Sequence, residues 1–283
     1  MKLLNASGCL DALTAPEIAN RLDAFVTKTI TPLPRDGNPP VRIAEVEHGM
    51  LNAIGLANPG RERFLAQTLP RLRGALDVPI WVSVGGFSAR DYAETCAALE
   101  DVEAIELNLS CPNVDEAPES AAEIVSACRA ATTLPLYAKL SAAVADVAAV
   151  ALAVQSAGAD GLSLINTVRG MALDERTLKP VLARGSGGLS GPALKPIALH
   201  AIHACYRATG LPIVGMGGVW SGRDVVELVA AGASHVALGT VLFADPDAPT
   251  RVRAELVEEC SRLAVAGVDD VFARAHEGAG IPA

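Results

Sequence analysis

Aromatic residues are scarce in this chain of 283 residues: Phe, Trp and Tyr together supply 4% of it. A core without large rings must be filled by many small side chains. The 51% of apolar residues, mostly Ala, Val and Leu, suit Ala-rich helices packed on short buried strands. Clustered positive charge is also missing. With a formal charge of −9 and no run of Lys or Arg, the chain carries no electrostatic footprint for a nucleic-acid backbone or an anionic bilayer. No apolar stretch is long enough for a membrane span, since the richest, from Ala142 to Ala159, is broken by Asp146. The opening MKLLNASGCL has a lipoprotein-like Ala-Ser-Gly-Cys, yet only two leucines where a signal peptide needs about 7 to 15 apolar residues. A cytoplasmic location is therefore expected. The six cysteines, at positions 9, 96, 111, 128, 205 and 260, contain no CxxC pair and no disulfide framework. Five read as small buried thiols. Cys111 reads differently, for reasons given below.

What the chain does have is alternation. Eight β-rich runs are separated by helical stretches: Leu3 to Gly8, Ala24 to Thr29, Pro79 to Gly85, Ala104 to Ser110, Leu134 to Ser141, Gly161 to Thr167, Pro212 to Gly218 and His235 to Thr240. Helix starts fall between them, with Thr14/Glu17, Ser88/Asp91 and Ser221/Asp224 each fitting a capping pattern. This predicts an α/β fold, a (β/α)8 TIM barrel spanning residues 1–283 as a single domain, a size usual for one barrel of about 250 residues. Two connections, Ile30 to Gly60 and Val168 to Gly191, are too long for turns and are expected as rim insertions after strands 2 and 6. Both leave the C-terminal ends of strands, where barrels build their sites.

The densest chemistry lies in NLSCPN, Asn108 to Asn113, at the end of the fourth run. A rim thiol can be exposed and can lose its proton, so Cys111 is a candidate base. Asn52, Asn108, Asn113 and Asn166 all fall on predicted rim segments. A carboxamide offers a donor and an acceptor without charge, which matches the alternating edge of a cyclic imide. Lys28 and Lys139 sit at the ends of apolar strands, where an ammonium calls for an anion: a ring anion, a substrate carboxylate or a Schiff-base carbonyl. Gly217, Gly218, Gly239 and Thr240 bring small residues and amides to the last two strand ends, a common place for a phosphate. His200 and His203 stand three apart on a predicted helix without a completing ligand, so they read as structural, and no metal is expected.

Taken together, NASG (Asn5 to Gly8), FVTKT (Phe25 to Thr29), GNPP (Gly37 to Pro40), GMLNAIGLANPG (Gly49 to Gly60), ELNLSCPNV (Glu106 to Val114), INT (Ile165 to Thr167), GGLSGPALKP (Gly187 to Pro196), GMGG (Gly215 to Gly218) and LGT (Leu238 to Thr240) run through nearly the whole chain in one order. In these segments the chain resembles the class 1 dihydroorotate dehydrogenases. The resemblance implies bound FMN, with dihydroorotate stacked on its ring and oxidised to orotate in pyrimidine biosynthesis. Cys111 would take the C5 proton while a hydride leaves C6. Asn52, Asn108, Asn113, Asn166 and Thr167, with the backbone from Ala53 and Ile54 to Gly55 and Leu56, would hold the pyrimidine. Lys28 would touch substrate and flavin, and Lys139 would support negative charge on the reduced ring. Ser7, Thr29, Ser83, Asn108, Ile165 and Gly191 would contact FMN, and Gly217, Gly218, Gly239 and Thr240 its phosphate.

GMLNAIGLANPG and INTVRGMALD are most similar to the NAD-linked subclass, a catalytic subunit that works with a second subunit carrying FAD and an iron–sulfur cluster. A homodimer or heterotetramer is the assembly this implies. Three departures stand out: no N-terminal hairpin precedes the first run, Asp115 to Ser120 is shorter than the family's loop, and Ser83 replaces an Asn. Competing readings are a related dihydropyrimidine oxidoreductase with an altered substrate, a Schiff-base lyase using Lys139 beside a sugar phosphate, and a flavin-binding subunit without catalysis.

Overall fold

Strands rich in Ile, Leu and Val, buried on both faces, pair only with parallel neighbours, and here eight of them close on themselves. The structure is a computed structural model and describes residues 1–109 and 120–277. Its strands are β1 (Lys2–Asn5), β2 (Phe25–Val26), β3 (Ile43–Val46), β4 (Gly49–Asn52), β5 (Ile80–Val84), β6 (Ala104–Asn108), β7 (Leu136–Leu140), β8 (Gly161–Leu164), β9 (Val168–Gly170), β10 (Gly187–Ser190), β11 (Ile213–Gly215) and β12 (His235–Leu238). The parallel sheet runs β1-β12-β11-β8-β7-β6-β5-β2, and a bridge between Leu4 and Ala24 joins its two ends. Leu4, Val26, Trp81, Ala104, Val214, Met216 and Ala237 fill the barrel. The larger core lies between the strands and the surrounding helices.

The long connections fold on each other. β3 and β4 come from the first and β9 and β10 from the second, giving an antiparallel sheet in the order β3-β4-β10-β9. Leu51, Ala53 and Leu182 form its own small core.

Helix starts follow the capping chemistry at Ser88 and Ser221, whose side chains accept from the amides of Asp91 and Asp224. Ser120 and Asp146 cap two further helices in the same way. Thr14 does not. Its hydroxyl donates to Asp11 at 2.8 Å, and the short helix Pro16–Ala19 begins without a side-chain cap, because the residue at the cap position is Ala15, which has no side-chain acceptor.

The second strand is shorter than its apolar run. Val26 stands opposite Trp81 and Ile30 opposite Val84, so β2 spends one more residue than β5 over this interval. The amide of Ser83 turns to the hydroxyl of Thr27 (3.1 Å) instead of a backbone carbonyl. This is a β-bulge, and it breaks the alternation that would send neighbouring side chains to opposite faces. Lys28 and Thr29 consequently face one cavity together. Among the described residues other predicted runs also overreach: β1 ends at Asn5, β8 at Leu164, β11 at Gly215 and β12 at Leu238, each short of its apolar run.

Candidate active site

At the C-terminal mouth of the barrel, under the four-stranded sheet, lies a cavity of about 290 Å³. Its floor is Asn108 from the end of β6 and Lys139 from β7, adjacent in register. Asn108 is anchored by its carbonyl, which accepts from the Tyr92 hydroxyl at 2.7 Å. Its carboxamide donates to Thr29 Oγ1 (3.2 Å) and accepts from Asn166 Nδ2 (3.1 Å). Asn166 Oδ1 in turn accepts from the Thr167 amide at 2.8 Å, which fixes the way that amide group faces. Asn52 reaches the cavity from β4, held by a bond to the Gly188 carbonyl at 3.3 Å.

Lys139 is almost wholly buried, and its Nζ donates to Ser7 Oγ at 2.9 Å. The anion its burial requires is present within the protein: Glu106 Oε1 stands 3.3 Å away, with side chains 6% and 2% exposed. Lys28 enters from the bulge and lies against Gly8, where any Cβ would stand 2.9 Å from the lysine stem. Cys9 packs against the core and also lines this cavity. Burial pushes its thiol above the ordinary value, while Lys139 and Lys28 pull in the opposite direction. Cys96, Cys128, Cys205 and Cys260 are buried as expected, and burial pushes Cys205 up to about 12.

The opposite end of the cavity is built of Gly191, Gly217, Gly218, Gly239 and Thr240. At Gly218 the backbone takes a φ of +79°, and a Cβ would stand 2.6 Å from the Lys195 amide nitrogen. Only glycine fits that turn. Asp224 braces it: Oδ2 accepts from the amides of Trp220 (2.9 Å) and Ser221 (2.8 Å), and Oδ1 accepts from Lys195 Nζ at 2.7 Å. Burial raises the Asp224 carboxyl, but Lys195 and the two amides outweigh it and hold the group below its ordinary value. Thr240 Oγ1 donates to Ser190 Oγ at 2.8 Å, tying the last strand end to the roof.

Of the residues singled out in the sequence, Ser7, Lys28, Thr29, Asn52, Ile54, Leu56, Asn108, Lys139, Ile165, Asn166, Thr167, Gly191, Gly217, Gly218, Gly239 and Thr240 meet at this cavity. Ala53 and Gly55 stand behind its wall. Ser83 is fully buried and 2.9 Å from Thr29 Oγ1, one layer beneath the surface that a ligand would touch. Cys111 and Asn113 lie outside the described residues. Glu106, Cys9, Met50 and Trp220 were not singled out. For Glu106 a signal existed, since a carboxylate inside the apolar run AIELN is as conspicuous as Lys139. His203, read as structural, stacks on His276 with ring centroids 4.0 Å apart.

A closed parallel barrel with a cavity at its C-terminal mouth, two lysines on one side and a glycine cradle on the other, defines the class as a (β/α)8-barrel enzyme with its site at the usual end of the barrel. Comparison with known proteins narrows the class. The dihydroorotate dehydrogenase family model matches residues 2–260. Among curated relatives, the catalytic subunit of dihydroorotate dehydrogenase B (NAD(+)) from Listeria monocytogenes is 45% identical over 262 residues, covering 89% of this chain and 86% of the relative. The like-named subunit from Halalkalibacterium halodurans is 43% identical over 284 residues, covering 95% and 92%. This chain belongs to the dihydroorotate dehydrogenase family. Two solved structures from Eimeria tenella, DHODH in complex with ferulenol and ligand-free DHODH, superpose with TM-scores of 0.81 and 0.82 at 22% and 21% identity. Each covers 97% of this chain, and the matches take in 85% and 88% of those chains, a likeness of fold.

Proposed function

We propose that this chain oxidises dihydroorotate to orotate on a bound FMN, as the catalytic subunit of an NAD-linked enzyme. The observation that carries the reading is the convergence of Asn52, Asn108 and Asn166 with Lys28 and Lys139 on one cavity, in a chain of this family. The donor set fits the cofactor: amides at Gly217 and Gly218 suit its phosphate, and Ser7, Thr29, Ile165, Gly191 and Lys139 suit its ring and side chain. FMN, when bound, supplies an acceptor for the hydride that leaves C6.

The chain's own residues do the rest. Asn52, Asn108, Asn113, Asn166 and Thr167 pair their amide and hydroxyl groups with the imide edge, fixing which face of the pyrimidine is presented. The Asn166–Asn108–Thr29 hydrogen bonds hold these amides in place before substrate arrives. Backbone from Ala53 to Leu56 shapes the wall behind them. Lys28 meets the substrate carboxylate beside the ring. Cys111 takes the C5 proton as thiolate, and the four-stranded sheet keeps bulk water from the reacting face.

Electrons leave through a partner subunit carrying FAD and an iron–sulfur cluster, in a heterotetramer in the cytoplasm. Among the described residues no helix is long and apolar enough to cross a membrane. The test is anaerobic addition of dihydroorotate to the purified, yellow protein. Loss of flavin colour is expected, with NAD reduction only after the partner subunit is added. A colourless protein that forms a borohydride-trapped adduct at Lys139 would instead establish the lyase reading.

A further inference from the structure

Glu106 is a carboxylate inside the barrel that the proposed chemistry leaves unused. Its side chain is 2% exposed, and Oε1 lies 3.3 Å from Lys139 Nζ. Lys139 lines the cavity and also donates to Ser7. Resting on the flavin reading above, we propose that Glu106 is a positioning residue that sets how strongly Lys139 favours negative charge on the cofactor ring.

The argument is electrostatic. A buried ammonium without an anion is costly, and a buried carboxylate without a cation equally so; together they form a nearly neutral pair. A lysine so paired acts on a neighbouring ring through the field of a dipole, which falls off faster with distance than that of a bare charge. The register brings the two within reach. β6 and β7 are neighbours, with Glu106 opposite Tyr137 and Asn108 opposite Lys139, so carboxylate and ammonium come from adjacent strands one pleat apart. Ser7, from the first strand end, takes a second Nζ proton and stops Lys139 from folding back fully onto Glu106. The ammonium is thereby held toward the cavity with part of its charge cancelled. That arrangement keeps the flavin reducible by substrate yet able to give its electrons away.

The test is the flavin midpoint potential of the holoprotein, with Glu106→Gln, Glu106→Asp, Lys139→Met and the Glu106→Gln/Lys139→Met double variant. Removing the carboxylate unmasks Lys139, so Glu106→Gln should bind the reduced flavin more tightly relative to the oxidised form by on the order of tenfold, about 30 mV for a two-electron couple. Glu106→Asp, which keeps the charge but draws it back, should fall between. A bare buried carboxylate is too costly to persist once its cation is removed, so in the Lys139→Met background Glu106→Gln should change little further. The double variant contains neither charge and keeps the comparison available if Glu106→Gln folds poorly. An unchanged potential in Glu106→Gln and Glu106→Asp, or an equal shift with and without Lys139, overturns the inference while leaving the flavin reading standing. A wild-type chain that binds no flavin overturns that reading and this inference with it.

Discussion

The side-chain amide of Asn5 and the backbone of Val26 exchange two hydrogen bonds, Nδ2 to the carbonyl and the amide to Oδ1, each 2.8 Å. They span the seam where β1 meets β2, a place with one backbone bridge and no regular ladder. A carboxamide presents the same donor and acceptor as a peptide unit, so Asn5 supplies the missing rung. Asn5→Ala strands both Val26 groups in a fully buried setting. A loss of about 2–4 kcal/mol in urea unfolding is expected. A loss under about 1 kcal/mol would show that the seam closes without this side chain.

Proton removal is the second test. An unperturbed thiol has a pKa of about 8.5 and is only a few per cent thiolate at neutral pH. Flavin reduction by dihydroorotate should therefore speed up as pH rises toward that value. Cys111→Ser should keep FMN and orotate binding while slowing reduction by about 10²-fold or more. Stopped-flow bleaching across pH 6 to 10 makes the comparison. Equal rates for the two proteins at every pH would move the base elsewhere.

Asp224 gives a stability prediction with a defined pH window. Its folded value lies below the ordinary 3.8, because the Lys195 bond and the Trp220 and Ser221 bonds outweigh the opposing effect of burial. A depressed carboxyl contributes stability that is complete above its unfolded value and lost as pH falls through the folded one. Asp224→Asn should thus cost about 1–3 kcal/mol at pH 7 and as much at pH 5. Urea unfolding at both pH values is the measurement. A penalty that disappears between them would mean that the carboxyl is not held down by these partners.

His203 and His235 work in a higher window. Burial lowers both from 6.5, with His276 adding to the effect at His203 and Lys2 at His235. The unfolded chain then binds more protons than the folded one just under 6.5, so stability is complete above that value and declines as pH falls through the window. Thermal midpoints should be level from pH 8 to 7 and drop from 6.5 to 5. His203→Phe, which keeps a flat ring against His276, should shrink the drop. An identical drop in that variant would assign it to other groups.

The barrel was legible because its strands are apolar runs separated by helices, a pattern that depends on local sequence alone. The convergence of Asn52, Asn108 and Asn166 could be inferred from their positions at strand ends. Where each ladder stops was not legible. The bulge between Val26 and Ile30 depends on Thr27 reaching the Ser83 amide across the sheet, a contact between residues 56 apart. Cys9 packs against the core as its reading requires, but it stands four residues past Asn5, the end of β1, and also lines the cavity, a second role that no local pattern announces. Glu106 was overlooked because its meaning lies in Lys139, and nothing in the spacing of 33 residues says that they touch. The His203–His276 stack joins two distant helical segments in the same way.

The roof of the cavity has a consequence for how the molecule comes into being. β4 and β10 pair across a separation of 136 residues, at Asn52 and Gly188, so neither half of that sheet has a partner while the chain is being made up to the second insertion. Closing so large a loop is an entropic burden borne only when the strands beneath already hold the two insertions side by side. The roof is accordingly among the last parts to assemble. Capacity to shelter a ligand thus arrives late, and a chain released before Ser190 has emerged lacks the roof together with β11 and β12, the strands that close the barrel beneath it.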